Sequence, residues 1–90
     1  MHAAAKSFDE QKEIKRKKNQ LNTLVKKAED AISRLENSIK IMDEQIVNLD
    51  YTNESESAKL LSEYDKAKKE LDLEMENWEQ ATEELMNIKD

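Results

Sequence analysis

The sequence contains no cysteine, no glycine and no proline. Without cysteine, the chain has neither a disulfide framework nor a thiolate for catalysis or metal binding. Tight β-turns depend on glycine and proline, so the composition argues against a fold of many short strands. A phosphate-binding loop of the P-loop type also requires glycine, and we therefore expect no nucleotide site in this chain.

Apolar and aromatic residues are scarce as well. Of the 90 residues, 37% are hydrophobic, 4% are aromatic and 40% are charged. This supply suits a narrow seam between helices better than a broad globular core. No apolar run approaches the ~20 residues of a membrane-spanning helix, and no signal peptide is recognisable. We predict an all-α protein that forms one domain over residues 1–90, has no membrane contact and is cytoplasmic.

The sequence also offers little for catalysis. Its single histidine, His2, lies in a terminus that we expect to be frayed, and no serine has a candidate base near it. The many carboxylates follow the regular spacing of solvated helix faces, without the loop carbonyls that a calcium site needs. We predict that this chain is not an enzyme, has no catalytic residues and binds neither a cofactor nor a metal.

A heptad pattern predicts the first helix over about residues 7–49. Ser7 with Glu10 fits a capping box at its start. From Leu21 onward, apolar residues recur with the alternating spacing of four and three residues that is typical of a coiled-coil seam. The members of this seam are Leu21, Val25, Ala28, Ile32, Leu35, Ile39, Met42, Ile46 and Leu49.

The pattern stops at a predicted turn over about residues 50–54, which is rich in turn-forming side chains. Asn53 followed by Glu56 reads as an N-cap with its capping-box partner. The second helix is predicted over about residues 54–89. Its seam is predicted to consist of Leu61, Tyr64, Lys68, Leu71, Met75, Trp78, Thr82, Leu85 and Lys89.

A short loop places two helices side by side in opposite directions. If the chain folds near residues 51–52, each seam residue of one helix meets one of the other, and large residues face small ones. Trp78, for example, faces Val25, and Met75 faces Ala28. The sequence therefore predicts a two-helix antiparallel coiled-coil hairpin. The same register sets Glu29 against Asp72, a mildly unfavourable pair of like charges.

An apolar shoulder runs along one side of both predicted seams. One interpretation is a widened seam within the hairpin. The other is a surface that dimerises the chain or docks a partner helix. The shoulder, a possible protein interface, consists of Leu24, Ala31, Leu60, Ala67, Ala81 and Ile88.

Charge is distributed unevenly in a chain whose net charge is −6. Residues 1–27 hold eight basic and three acidic side chains, a net charge of +5, and residues 49–90 hold five basic and thirteen acidic, a net charge of −8. Most of the early cations fall along one outward line of the first helix, and two flank the seam. We call this set the basic stripe: Lys12, Lys15, Arg16, Lys17, Lys18, Lys26 and Lys27.

Two interpretations of the basic stripe are open. Such an array displaces counterions from a phosphate backbone, which would make the stripe a nucleic-acid-binding surface with weak, salt-sensitive affinity. No base-reading pattern accompanies it. Alternatively, the stripe is a solvated face, screened by acidic residues of the second helix. The screening residues would be Glu76, Glu79, Glu83 and Glu84.

Two segments resemble a known family. The segment KSFDEQKEI, residues 6–14, resembles the stretch that opens the C-terminal extension of ABC-F ATPases, and residues 64–85 resemble the second helix of that extension. The resemblance covers about residues 6–88. It rests on Ser7, Phe8, Glu10, Gln11, Lys12, Glu13 and Ile14 in the first segment, and on Leu71, Met75, Trp78, Glu79, Glu84 and Leu85 in the second.

The resemblance implies a role within a longer protein. ABC-F proteins carry two ATP-binding cassettes without transmembrane segments and act mostly on ribosomes and translation. The chain would be the non-catalytic coiled-coil arm of such an ATPase, with the cassettes, ATP and magnesium belonging to the part that precedes Met1. The expected partners are ribosomal RNA or DNA and the ATPase domains of the same protein. The alternative function is a structural coiled coil that forms a homodimer or docks a partner helix.

Overall fold

The computed structural model describes residues 8–88, which form an antiparallel pair of helices, α1 (Phe8–Val47) and α2 (Glu54–Asn87). The predicted all-α two-helix hairpin is confirmed. Asp9 and Glu10 lie in the first turn of α1, where carboxylates interact favourably with the positive end of the helix dipole. The predicted Ser7 cap, His2 and the predicted seam residue Lys89 lie outside the described residues.

The turn between the helices is held by side-chain hydrogen bonds. The Asp50 carboxylate accepts from the Thr52 hydroxyl at 2.6 Å and from the Thr52 backbone N–H at 3.0 Å. These bonds stabilise the ionised form, so the pKa of Asp50 is lowered, first by the hydroxyl and then by the backbone. Asn53 caps α2, because its side chain accepts from the backbone N–H of Glu56 at 3.2 Å, as the sequence predicts.

Two further side chains tie the turn to the helix ends. The Ser57 hydroxyl lies 3.0 Å from the carbonyl oxygen of Asn53, to which it donates, and Ser57 is one of the buried residues. The Tyr51 hydroxyl donates to the carbonyl oxygen of Ile46 at 3.3 Å, across the end of α1. The same carbonyl oxygen also accepts from the Leu49 backbone N–H at 3.3 Å, so two donors hold the end of α1.

The core is a narrow seam along the facing sides of the two helices. On α1 the buried apolar residues are Leu21, Ala28, Leu35 and Ile39, all members of the predicted seam. Val25, Ile32, Met42 and Ile46 are half-buried between them. Because only one helix covers each seam residue, burial along the seam is partial, and cooperative packing of both helices is needed for either to persist.

The seam of α2 agrees with the predicted one at Tyr64, Leu71, Trp78 and Leu85, which are half-buried, and differs from it at the alternate positions. Leu61 and Met75, both predicted to be core residues, are 43% and 40% exposed, and Lys68 is exposed as well. The neighbouring positions, one residue earlier in the sequence, turn inward instead, with Ala81 buried and Ala67 half-buried. The inward row is Leu60, Ala67, Glu74, Ala81 and Ile88, and the outer row is Leu61, Lys68 and Met75. Thr82, which comes next at the same heptad position, is half-buried.

This rotation of α2 has a physical reason. Burying the Lys68 ammonium in an apolar seam would carry a large desolvation cost, whereas Ala67 carries none. Outside the seam, the Lys68 Nζ lies 4.8 Å from the centre of the Tyr64 ring. The pKa of Lys68 is raised, first by its interaction with Tyr64 and then by the charges of Asp43 and Asp72.

A cross-helix hydrogen bond marks the register of the pair. The Trp78 indole N–H donates to the Glu29 carboxylate at 3.1 Å. Glu29 lies one turn after Val25, the residue that the predicted register sets opposite Trp78. In the same part of α2, the Thr82 hydroxyl oxygen is buried and has no hydrogen-bond partner. Across residues 8–88, neither helix contains a stretch apolar enough to cross a bilayer.

Candidate nucleic-acid interface

The basic stripe lies on the N-terminal half of α1. Six of its seven cations are exposed, and Lys18, which flanks the seam, is half-buried. Because α1 continues unbroken through this region, Lys12 and Lys27 are separated by roughly 22 Å along the helix axis. The stripe therefore presents its charges on one rigid, nearly straight element.

Part of the stripe borders a shallow, open depression on the surface of α1. Lys12, Lys15 and Arg16 line it together with uncharged polar side chains, and its volume is about 400 Å³. The two amide side chains among them carry hydrogen-bond donors of the kind that bind phosphate oxygens. The uncharged polar side chains are Asn19, Gln20 and Thr23.

Local interactions occupy some of these groups. The Arg16 guanidinium forms an ion pair with Glu13 at 3.4 Å, and both side chains are more than half exposed. Exposed pairs of this kind contribute little and exchange readily, so a phosphate can displace Glu13. The Thr23 hydroxyl donates to the carbonyl oxygen of Asn19 at 2.9 Å, so its proton is already used within α1.

Two carboxylates of α2 share a groove with one end of the stripe. Lys27 borders a groove between the helices that it shares with Glu74 and Glu84. Glu79, which the sequence interpretation placed among the screening residues, lies on the other side of the hairpin beside Glu29 and Glu36. The predicted screening set is therefore divided between two sides, while acidic residues are absent from the lining of the depression near Lys12.

The apolar shoulder is largely occupied within the hairpin. Ala81 is buried, and Ala31, Leu60, Ala67 and Ile88 are half-buried. Packing of the two helices against each other is enough to cover them to this degree. This burial favours the interpretation of a widened seam. Leu24 differs, since it is 53% exposed and borders the groove that contains Lys27.

One surface was missed by the sequence interpretation. A groove on the side of the hairpin away from Leu24 is lined by Ile32, Met75 and Trp78, with three carboxylates at its edge. The sequence holds one sign of this groove, the predicted pair of like charges that includes Glu29. We interpret that pair above only as unfavourable for the hairpin, although it also indicates an acidic surface. Within residues 8–88, no three acidic or histidine side chains converge as they would around a metal ion.

No family model, no curated protein and no solved structure matches this chain. The resemblance to ABC-F ATPases therefore stays a prediction.

Proposed function

We propose that this hairpin is a non-catalytic arm that contacts the phosphate backbone of a nucleic acid through its basic stripe. The observation that carries the proposal is the depression lined by Lys12, Lys15, Arg16 and uncharged polar residues, with no carboxylate in its lining. Such a surface attracts a polyanion over the length of the stripe, roughly 22 Å.

The proposed contact is with phosphates rather than bases. Lysine and arginine displace condensed counterions, and this release provides binding free energy that does not depend on sequence. Arg16 adds a planar fork that fits two phosphate oxygens. Aromatic side chains are absent from the lining of the depression, so stacking on unpaired bases does not contribute there. Ribosomal RNA and duplex DNA both present the required backbone.

The resemblance to ABC-F ATPases supports a wider form of the proposal. In that form, ATP-binding cassettes elsewhere in a longer protein hydrolyse ATP with magnesium, and the hairpin supplies a nucleic-acid contact. Two P-loop cassettes in the reading frame upstream of Met1 would support this form. An upstream sequence without them would remove the link to the family and leave the phosphate contact to be judged by binding.

The binding test uses fluorescence anisotropy with a labelled RNA hairpin and a labelled DNA duplex. Replacing Lys15, Arg16, Lys26 and Lys27 with Glu should abolish binding. For the unaltered chain on the duplex, log K should fall as log salt rises, with a slope whose magnitude is about 0.9 for each phosphate contact. If the four-residue variant still binds weakly, the magnitude of its slope should be smaller by roughly 3.6, because four contacts are lost.

A matched control separates the stripe from general charge. Lys40, Lys59, Lys66 and Lys69 are exposed and lie outside the stripe, so their replacement with Glu produces the same net charge. This control should retain clearly more binding than the stripe variant, with helicity checked by circular dichroism for both. Equal loss in the two variants, or binding that does not respond to salt, would contradict the proposal.

A further inference from the structure

The groove bordered by Met75 is a second candidate surface, on the opposite side of the hairpin from Leu24. Its volume is about 420 Å³, and its floor consists of Ile32, Met75 and Trp78. We call it the acidic groove, because the charged side chains that line it are Glu29, Glu36 and Glu79.

The rotation of α2 explains why this groove is apolar and open. Met75 belongs to the outer row of α2 and is 40% exposed, and Leu61, on the same row but outside the groove lining, is 43% exposed. They lie fourteen residues apart, which is roughly 21 Å along the helix. The hydrogen bond from Trp78 to Glu29 fixes the indole at the groove floor. Tryptophan and methionine are both enriched in protein interfaces.

The charges around the groove specify its occupant. Its lining contains three carboxylates and no cation. Of the lysines of α2, Lys69 is paired with Asp65 at 3.1 Å and Lys68 lies over the Tyr64 ring, and neither lines the groove. The three carboxylates give the edge of the apolar groove a negative charge, which a cationic partner would complement.

We propose that the acidic groove docks a cationic amphipathic helix of a protein partner, which packs as a third helix against the hairpin. Its apolar stripe covers Ile32, Met75 and Trp78, and its flanking lysine or arginine side chains pair with the carboxylates at the edge. A groove between two adjacent helices accepts a third helix lengthwise, by the same knobs-into-holes packing that forms a coiled coil.

Two other occupants fit less well. The basic stripe of a second copy supplies cations, but the residues around its depression include no apolar side chain to fill the groove floor. A nucleic acid is repelled by the carboxylates at the edge. The docking surface is therefore independent of the proposed phosphate contact, and each can fail without the other.

The test exploits Trp78, the only tryptophan in the chain, as a reporter at the groove floor. The probe is a synthetic peptide of about 21 residues, roughly 32 Å as a helix, with leucine in its seam and lysine at the flanks. It contains no tryptophan. We expect saturable binding with a blue shift of Trp78 emission at physiological salt, and at least tenfold weaker binding of a peptide with glutamate at the flanks.

Variants then separate docking from general attraction. Met75→Ser should weaken binding of the lysine peptide about tenfold, a loss of about 1.4 kcal/mol. Leu73→Ser is the matched control, because Leu73 is 57% exposed on α2 but is absent from the groove lining, and it should leave affinity unchanged. Combined Glu36→Lys and Glu79→Lys replacements should make the glutamate peptide the preferred ligand.

Three outcomes would overturn the proposal. The first is equal binding of both peptides, and the second is equal loss with Met75→Ser and Leu73→Ser. The third is a dimer in sedimentation experiments that Met75→Ser dissociates, because the occupant of the groove would then be a second copy of the chain.

Discussion

The two helices follow their own heptad patterns to different degrees. All four apolar residues that α1 buries belong to its predicted seam. On α2, Leu61 and Met75 of the predicted seam are exposed, and Ala81, from the predicted shoulder, is buried. The comparison teaches that a heptad pattern determines which side of a helix faces inward only when neighbouring rows of side chains differ clearly in polarity. On α2, Lys68 and Thr82 make the predicted row nearly as polar as its neighbour.

The largest expected effect tests burial on the two helices directly. Leu35→Ala removes a side chain that is 7% exposed, and large-to-small changes in a core cost about 2–5 kcal/mol. In a hairpin this small, such a loss should unfold most of the chain at room temperature. Leu61→Ala, on the outer row of α2, should cost about 1 kcal/mol or less.

Urea and thermal unfolding followed by circular dichroism would compare the two variants. A similar loss for Leu35→Ala and Leu61→Ala would mean that α2 sits with its predicted row inward, and the rotation described here would be wrong.

A smaller effect concerns two threonines, one on each helix. The Thr82 hydroxyl on α2 is buried without a partner, and a group of this kind costs about 1 kcal/mol or more. Thr82→Val keeps the shape and should raise the free energy of unfolding by about 1 kcal/mol. Thr23→Val on α1 is the control, since that hydroxyl is exposed and bonded within its own helix, and it should change stability little. If both replacements stabilise the chain equally, the gain comes from added hydrophobicity in general, and the unpartnered Thr82 hydroxyl is not its cause.

The smallest expected effect lies in the turn that joins the helices. Since hydrogen bonds from Thr52 lower the pKa of Asp50 in the folded chain, the ionised carboxylate contributes stability above its unfolded pKa of about 3.8. That contribution is lost as pH falls through the lower folded pKa. Asp50→Ala should therefore reduce the midpoint of thermal unfolding slightly at neutral pH, with the difference from the parent chain disappearing in acid. A difference that stays constant down to acid pH would contradict the role of the ionised carboxylate.

Much of the hairpin can be predicted residue by residue. The seam of α1 is predictable because Leu21, Ala28 and Leu35 recur at heptad spacing with no competing apolar row of equal strength. The cap of α2 is predictable because Asn53 acts through a local hydrogen bond that needs no tertiary contact. Local chemistry and periodicity suffice for both features.

The candidate surfaces were predictable only in part. The basic stripe follows from residue spacing alone, since exposed cations on one helix keep their relative directions wherever the helix packs. The acidic groove depends on residues of both helices, and Trp78 reaches Glu29 only in the register that the packed pair adopts. That register depends on small differences between the free energies of burying one row of α2 or the next. These differences cannot be predicted from the sequence of either helix alone.

The sequence by itself determined two long helices, a capped turn and a charged face, because helix propensity, capping and periodicity act over a few residues. The tertiary structure alone decided which row of α2 turns inward and which carboxylates surround Met75. Those outcomes depend on desolvation of Lys68 and on close contact between small side chains, and both arise only when the two helices pack together.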